Sequence, residues 1–352
     1  MRCLSLARAL ADDGANVFFL LRSHAAGLTR LIEGEGHSVR LLPDPDRLPD
    51  ALAADGTAHV HWLPTTWQKD AEQTLEAIDR IGPVDWLIVD HYALDARWER
   101  MQRKRAPCIL AIDDLADRNH DCDILLDQNL VLEMERRYRG LLPKTCKLLL
   151  GPRYALLRPE FAEQRKSLGG RSGKVSRIFV CYGGSDPSNE TAKALAAIKR
   201  LSGNPLPVDV VVGLSNPHGS SVATMCEELP GAVLHRGADN IADLMGRADL
   251  AIGAGGVMCW ERCCLGLPTL AVDIAPNQLD VLTALAAAGA LVYLGSAASV
   301  TEDQMARSLE ALLRDPARIR ALGKGALALV DGEGLRRVCA ELEAFRPRSA
   351  QF

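Results

Sequence analysis

Two glycine pairs stand where a phosphate would be held. Gly183-Gly184-Ser185-Asp186 follows an apolar run, Ile178 to Cys181, and precedes a helix-forming run, Asn189 to Leu201. Glycine lets backbone N–H groups approach a phosphate closely, and the N-terminus of a following helix favours negative charge. Gly253-Ala254-Gly255-Gly256 repeats the arrangement between the strand-like Leu250-Ala251-Ile252 and a helix over Val257 to Leu265. One such loop reads equally well as a plain strand-to-helix turn; two in one domain point to a diphosphate. Neither is a Walker loop, because no Gly-Lys-Ser/Thr follows. Glu261, on the second helix, is either an acceptor for ribose hydroxyls or a solvated helix glutamate. Pro276-Asn277-Gln278 lies beyond the strand Leu267 to Val272. Amides at a strand's carboxyl end bind sugar or phosphate, and Asn there also serves as a turn or cap residue.

The first half of the chain carries a second set. Asp90-His91-Tyr92 ends the buried run Trp86 to Val89, and Asp113-Asp114 ends Cys108 to Ile112. His91 is either a base near neutral pH or a packed histidine whose nitrogens are satisfied by neighbours. His59 and His61 would share one face of a strand and, with no third ligand in view, read as ordinary partly exposed histidines. Asp117, His120, Cys122 and Asp123 resemble a metal site only superficially and read as a hydrogen-bonded loop. Cys259, Cys263 and Cys264 have no second Cys or His pair at zinc spacing, so they read as buried thiols on a helix.

The elements that must position these residues alternate. A helix bearing Leu4, Ala7 and Leu10 is ended by Gly14 and followed by a strand over Val17 to Leu21. A helix over Gly27 to Glu33, a strand over Ser38 to Leu42, a loop marked by Pro43, Pro45 and Pro49, and a helix over Ala71 to Ile81 come next. Beyond Trp86 to Val89, the run Arg97 to Arg105 is helical and Ile124 to Leu126 is a short apolar segment. Glu160 to Lys174 is mostly polar and glycine-bearing near its end, the best candidate linker. The pattern then restarts, with further strands at Val208 to Val212 and Ala232 to His235 and a helix over Asn240 to Arg247. Apolar strands alternating with helices imply parallel sheets covered on both faces. Two such halves suggest a ligand between them, at the carboxyl ends of their strands.

The chain has 352 residues, enough for two domains with separate cores, and with 48% hydrophobic and 24% charged residues it reads as a globular protein. A formal charge of -4 and a pI near 6.1 argue against a nucleic-acid partner. The densest basic stretch, Arg100, Arg103, Lys104 and Arg105, reads as a solvated helix end. No apolar run of about 18 residues is present and no signal-peptide pattern opens the chain, so the expectation is a cytoplasmic protein with no membrane partner. Ten cysteines, several in apolar runs (Cys108, Cys181, Cys226), fit reduced thiols.

Taken together, the motifs resemble a family. Arg2-Cys3-Leu4, Asp90-His91-Tyr92, Asp113 to Arg118, Cys122 to Asn129, Gly151 to Phe161, Gly183 to Asp186, and Gly255-Gly256 with Trp260-Glu261-Arg262 look like the UDP-2,4-diacetamido-2,4,6-trideoxy-β-L-altropyranose hydrolases of pseudaminic acid biosynthesis. The resemblance extends to about residue 330, and the run Gly151 to Phe161 is its most specific part. It implies an α/β protein of two Rossmann-like domains in the GT-B architecture, similar to the GlcNAc transferase of peptidoglycan synthesis. The domains expected are 1–160 on the sugar side, a linker at 161–174, a UDP-binding domain at 175–330, and a C-terminal helix and tail at 331–352 that packs back on the first domain. It further implies metal-independent attack of water at the anomeric carbon of a UDP-sugar, with no cofactor. Tyr92 and Asn277 match residues lining the sugar. Gly183, Gly184, Ser185, Gly255, Gly256, Glu261 and Gln278 fall in the nucleotide-binding region.

One departure affects the catalytic base. In the family it is a histidine in a Gly-x-Gly-His loop after the first strand, three residues before the arginine matching Arg2. That falls two positions upstream of Met1, so no catalytic residue of the family lies in this sequence. In a sheet of order 3-2-1-4-5-6, omission of the first strand would also leave its two neighbours unpaired. The expectation is a chain begun late, with little hydrolase activity as it stands and poor stability; a fold that truly starts on a helix and a family member without the base are the alternatives. A GT-B glycosyltransferase and a catalytically inactive nucleotide-sugar-binding protein are the competing functions.

Overall fold

The computed structural model describes residues 1–43, 58–201 and 205–345. Pro45 and Pro49 lie outside them. The chain divides into two compact units, one made of Met1–Asn129, Glu133–Leu156 and the chain from Leu335, the other of Leu130–Leu132 and Leu157–Gly334. We call them the N-terminal and C-terminal units.

In the N-terminal unit the strands are β1 (Phe18–Arg22), β2 (Ser38–Leu42), β3 (Trp86–Val89), β4 (Cys108–Ile112), β5 (Ile124–Asp127) and β6 (Lys147–Leu150). They form two separate parallel sheets, β1-β2 and β3-β4-β5-β6. Alternation along β4 divides the core between two faces. Ile109 and Ala111 pack with Ala71, Trp98 and Tyr138, while Leu110 and Ile112 pack with Leu6, Val338 and Leu342. The helix Arg2–Asp12 and the last helix, Gly334–Ala344, therefore share one face, and the helix Trp67–Ile81 takes the other. That helix begins where Thr66 Oγ1 accepts from the Lys69 amide, and it ends at Gly82, whose φ of +107° suits glycine.

The C-terminal unit contains β7 (Ile178–Cys181), β8 (Val208–Val212), β9 (Ala232–Arg236), β10 (Leu250–Ala254), β11 (Thr269–Asp273) and β12 (Val292–Ser296). They make one six-stranded parallel sheet in the order β12-β11-β10-β7-β8-β9. Numbered within the unit, this is 6-5-4-1-2-3, the doubly wound order, with its topological switch between β7 and β10. β7, β8, β10 and β11 are buried along their whole length, as strands covered on both faces should be.

The segment expected to be a linker is not one. Residues Pro159–Ser167 are helical, with Phe161 fully buried. Arg165 Nη1 donates to the carbonyls of Cys264 and Val330 at 2.7 and 2.9 Å, and Arg171 donates to those of Gly266, Leu265 and Ala248. Polar composition misleads here because long arginine stems lie along the unit while their heads satisfy helix-end carbonyls. Among the described residues no helix is long and apolar enough to cross a membrane.

Candidate functional site

Both glycine turns lie at the carboxyl ends of the adjacent strands β7 and β10, at the switch point. Gly183 and Gly256 have φ of +90° and +94°, a region that side-chain-bearing residues avoid. Close packing fixes Gly253 and Gly255, whereas a Cβ at Gly184 would meet nothing. A Cβ at Gly253 would collide with the Cys181 carbonyl, and one at Gly255 would sit 2.7 Å from Gln278 Cβ. A third glycine, Gly213 after β8, makes room for the Gly184 carbonyl. Its position at a strand end is the signal the sequence offers for it.

The turns present peptide groups outward. No described group accepts from the N–H of Gly184, Ser185, Gly256 or Val257. Four donors at the ends of two neighbouring strands form a cradle for an oxyanion. The helix Glu190–Lys199 contributes differently from expectation, because its first amides are already capped. The buried Asp186 accepts from Glu190 N and Thr191 N, both at 2.9 Å. Its carboxylate fills the place that a phosphate at this helix end would need, so the turn itself is what remains for a ligand.

Gln278 braces the second turn. Its Oε1 accepts from Gly255 N and Ile274 N, both at 3.1 Å, tying the loop after β10 to the loop after β11. Its Nε2 donates to no described group. Asn277 beside it is exposed, in a single 3-10 turn, Pro276–Gln278.

Glu261 is not a solvated glutamate, since its side chain is only 13% exposed. Arg158 Nη2 lies 3.8 Å from Glu261 Oε1, while Arg158 Nη1 lies 2.8 Å from Glu160 Oε1. Burial raises the Glu261 pKa, opposed by Arg158 and Arg262 and reinforced by Glu160. The most specific stretch of the sequence, through Arg158-Pro159-Glu160, thus ends beside this carboxylate.

At the carboxyl edge of the N-terminal unit, Tyr92 Oη donates to Asp114 Oδ1 at 2.6 Å. Arg2 links the same groups, with Nε and Nη2 donating to Asp90 at 2.9 and 2.7 Å and Nη1 to Asp114 at 3.1 Å. Although burial opposes ionisation, the Arg2 guanidinium holds the Asp90 carboxyl below its ordinary value. Burial and the Asp114 charge push the Tyr92 phenol up, so it is a donor throughout the neutral range. Asp113 faces inward, accepting from Ala116 N and Arg118 Nη1 at 2.9 and 2.7 Å. His91 Nδ1 accepts from Ala93 N at 3.1 Å, which gives it a turn-stabilising role.

His59 and His61 do not lie on a strand. Val60–Trp62 is one 3-10 turn with His59 as its N-cap, and it gathers rings against Tyr92. The centroids of His59 and Trp62 lie 5.6 and 5.4 Å from that of Tyr92, and Trp62 is 50% exposed. Offset ring pairs at these separations stabilise one another. In a chain with few aromatic residues, His-x-His-Trp was the available signal for this cluster.

The polar loop at Asp117 to Asp123 is internally bonded. His120 Nδ1 pairs with Glu99 Oε1 at 2.7 Å, Arg118 Nη1 donates to Asp117 Oδ1 at 3.0 Å, and Asp123 accepts from Arg103 and from Ile109 N. Arg100, Lys104 and Arg105 are exposed, as expected of a solvated helix end, Arg105 pairing with Asp79 at the surface, whereas Arg103 is partly buried and pairs with Asp123. Among the described residues no three His, Cys, Asp or Glu side chains converge as metal ligands.

Two parallel α/β units, one with a switch point carrying paired glycine turns, match a known architecture. The chain aligns with MurG of Acinetobacter baumannii over 98% of its own length and 95% of that chain, at a TM-score of 0.63 and 14% identity. The fold is GT-B. In sequence, the chain is 30% identical over 209 residues to the spore coat polysaccharide biosynthesis protein SpsG of Bacillus subtilis, covering 59% of this chain and 61% of that protein. It is 28% identical over 226 residues to the UDP-2,4-diacetamido-2,4,6-trideoxy-beta-L-altropyranose hydrolase of Campylobacter jejuni, covering 63% of this chain and 79% of that protein. The match to the Bacillus protein thus spans about three fifths of its length. No family model matches the chain.

Proposed function

We propose that this chain acts on a nucleotide sugar, binding UDP through the C-terminal unit and cleaving the bond between the sugar's anomeric carbon and the diphosphate. The observation that carries the reading is the pair of glycine turns on β7 and β10, with four peptide N–H groups free to meet a diphosphate. The amides of Gly184, Ser185, Gly256 and Val257 hold the phosphates, Gly183 and Gly255 shape the two turns, Glu261 accepts from the ribose hydroxyls, and Gln278 keeps the second turn in place. Tyr92 and Asn277 contact the sugar.

The finer reading is hydrolysis of a UDP-linked 2,4-diacetamido-2,4,6-trideoxy sugar in pseudaminic acid biosynthesis, supported by the likeness to the Campylobacter hydrolase. Water's oxygen forms a bond to the anomeric carbon, the carbon–oxygen bond to the β-phosphate breaks with its electron pair leaving on UDP, whose charge the turn amides meet, and the attacking water's surplus proton passes to solvent. The reaction is redox-neutral and calls for no cofactor. A glycosyltransferase is the second reading, favoured by the GT-B fold shared with MurG. A binding-only protein is the third, favoured by His91, whose Nδ1 is engaged by its own turn.

UDP release from a panel of UDP-sugars, with and without acceptor sugars, separates these readings. Release without acceptor, with oxygen from labelled water in the free sugar, supports hydrolysis. Release only with an acceptor makes the chain a transferase, binding without turnover makes it a binding protein, and no UDP-sugar binding defeats all three.

A further inference from the structure

Arg262 is a buried cation with no anion. It lies on the helix Met258–Cys264 and is 2% exposed. Its Nη2 donates to the Ala254 carbonyl at 2.6 Å and to Cys259 Sγ at 3.1 Å, its Nε is buried without a partner, and its Nη1 donates to no described group. The other arginines buried to this degree each meet a carboxylate. Arg22 Nη2 is 2.5 Å from Asp70 Oδ2, and Arg118 Nη1 is 2.7 Å from Asp113 Oδ1. For Arg262 no carboxylate lies within ion-pair distance among the described residues, and the adjacent Glu261 is turned toward Arg158. The nearby thiols supply no charge, because burial raises the Cys259 thiol and pushes the Cys181 thiol up to about 11.

A buried unpaired charge costs several kcal/mol, on the order of what removing one partner of a buried pair costs. Its location suggests what would offset that cost. A Cβ at Gly253 would lie 2.9 Å from Arg262 Nη1 and would collide with the Cys181 carbonyl, so the guanidinium sits at the ends of β7 and β10, beneath both glycine turns. By pulling the Ala254 carbonyl inward, it also fixes the chain just before the Gly256 and Val257 amides that remain free.

We propose that Arg262 is a positioning residue for the diphosphate subsite, supplying from below the positive charge that the glycine turns alone lack. This rests on the nucleotide-sugar reading of the same turns. It predicts that the arginine's contribution appears with the phosphates and not with the nucleoside.

The test is calorimetric titration of the full chain, as wild type, Arg262→Met and Arg262→Lys, with UDP and with uridine. In Arg262→Met the affinity for UDP should fall about tenfold or more, the scale of one charge-assisted interaction, while uridine binding changes by less than about twofold. Arg262→Lys, which keeps the charge without the planar fork, should retain most of the preference for UDP over uridine. Equal losses for UDP and uridine in Arg262→Met, or an unchanged UDP affinity, would overturn the proposal in favour of a purely structural arginine. Should Arg262→Met show no cooperative melt, Arg262→Lys decides, and a folded lysine variant that no longer prefers UDP overturns the assignment. Wild-type protein that binds neither ligand defeats the nucleotide reading itself, an outcome separate from failure at Arg262.

Discussion

The first strand of the C-terminal unit, β7, lies between β8 and β10 and is bonded on both sides. In the N-terminal unit the strands that would flank such a centre, β1 and β3, belong to different sheets and share no ladder. Burial follows the same division, since β7 is buried throughout while β1 is only partly covered until Arg22. Where a central strand is present, the backbone ladder alone sets the two glycine turns side by side. Between β1 and β3, where no ladder runs among the described residues, side-chain charge does the joining. Arg22 on β1 reaches Asp70 and Gln73 on the helix Trp67–Ile81, and Trp98 Nε1 donates to Asp70 Oδ1 at 2.8 Å. Arg2 likewise ties the opening helix to the ends of β3 and β4, which already share a ladder, through Asp90 and Asp114.

If that division is right, the largest effect comes from breaking the ionic joint. Asp70→Asn leaves Arg22 buried and uncompensated, so urea unfolding should show the N-terminal unit destabilised by about 3–5 kcal/mol. Hydrogen exchange in β7 and β10 should be unmoved, and accelerated exchange there would end the comparison.

A pH effect is expected next. Although burial opposes it, the Asp113 and Glu99 carboxylates raise His120 from 6.5 to about 9. A raised pKa means that the fold favours the protonated ring, so its contribution is complete below pH 6.5 and is lost as pH rises through about 9. At about 1.4 kcal/mol per pKa unit this amounts to on the order of 3–4 kcal/mol. The urea midpoint of the N-terminal unit should fall across this window in wild type but not in His120→Asn, and parallel falls would remove His120 from the account.

On the C-terminal side, Gln278→Ala strands the amides of Gly255 and Ile274 at a cost of about 1–3 kcal/mol. UDP affinity measured by calorimetry should drop about tenfold, and an unchanged affinity would show that the brace is dispensable. The smallest effect is Tyr92→Phe, which removes one hydroxyl donor to Asp114, about 0.5–1.5 kcal/mol. It should weaken UDP-sugar binding by a few fold and leave UDP alone unaffected, whereas equal losses would place Tyr92 outside sugar recognition.

The same contrast explains what was legible in the sequence. Ile178 to Cys181 and Cys108 to Ile112 read as strands because covered strands are continuous apolar runs, and both appear with those bounds. β6 and β12 escaped notice because they are edge strands, where burial is partial and the pattern breaks at Lys147 and Gly295. The glycine turns were readable from type and position, but the capping by Asp186 was not, because an Asp before a helix serves a ligand or a cap equally well in sequence. His59 and His61 were misplaced on a strand because a single 3-10 turn carries no periodicity. Arg262 stood in the resemblance without a role: a charged residue on a short helix reads as surface, and only the packed structure reveals it beneath Gly253.

The central claim is that the paired turns of β7 and β10 hold a nucleoside diphosphate. Hydrogen exchange of the whole chain with and without saturating UDP tests it most directly. Protection should concentrate in the peptides covering Gly183 to Asp186 and Gly255 to Glu261, with β1 and β2 unchanged. UDP binding that leaves both turns unprotected, or that protects only other segments, would contradict the account.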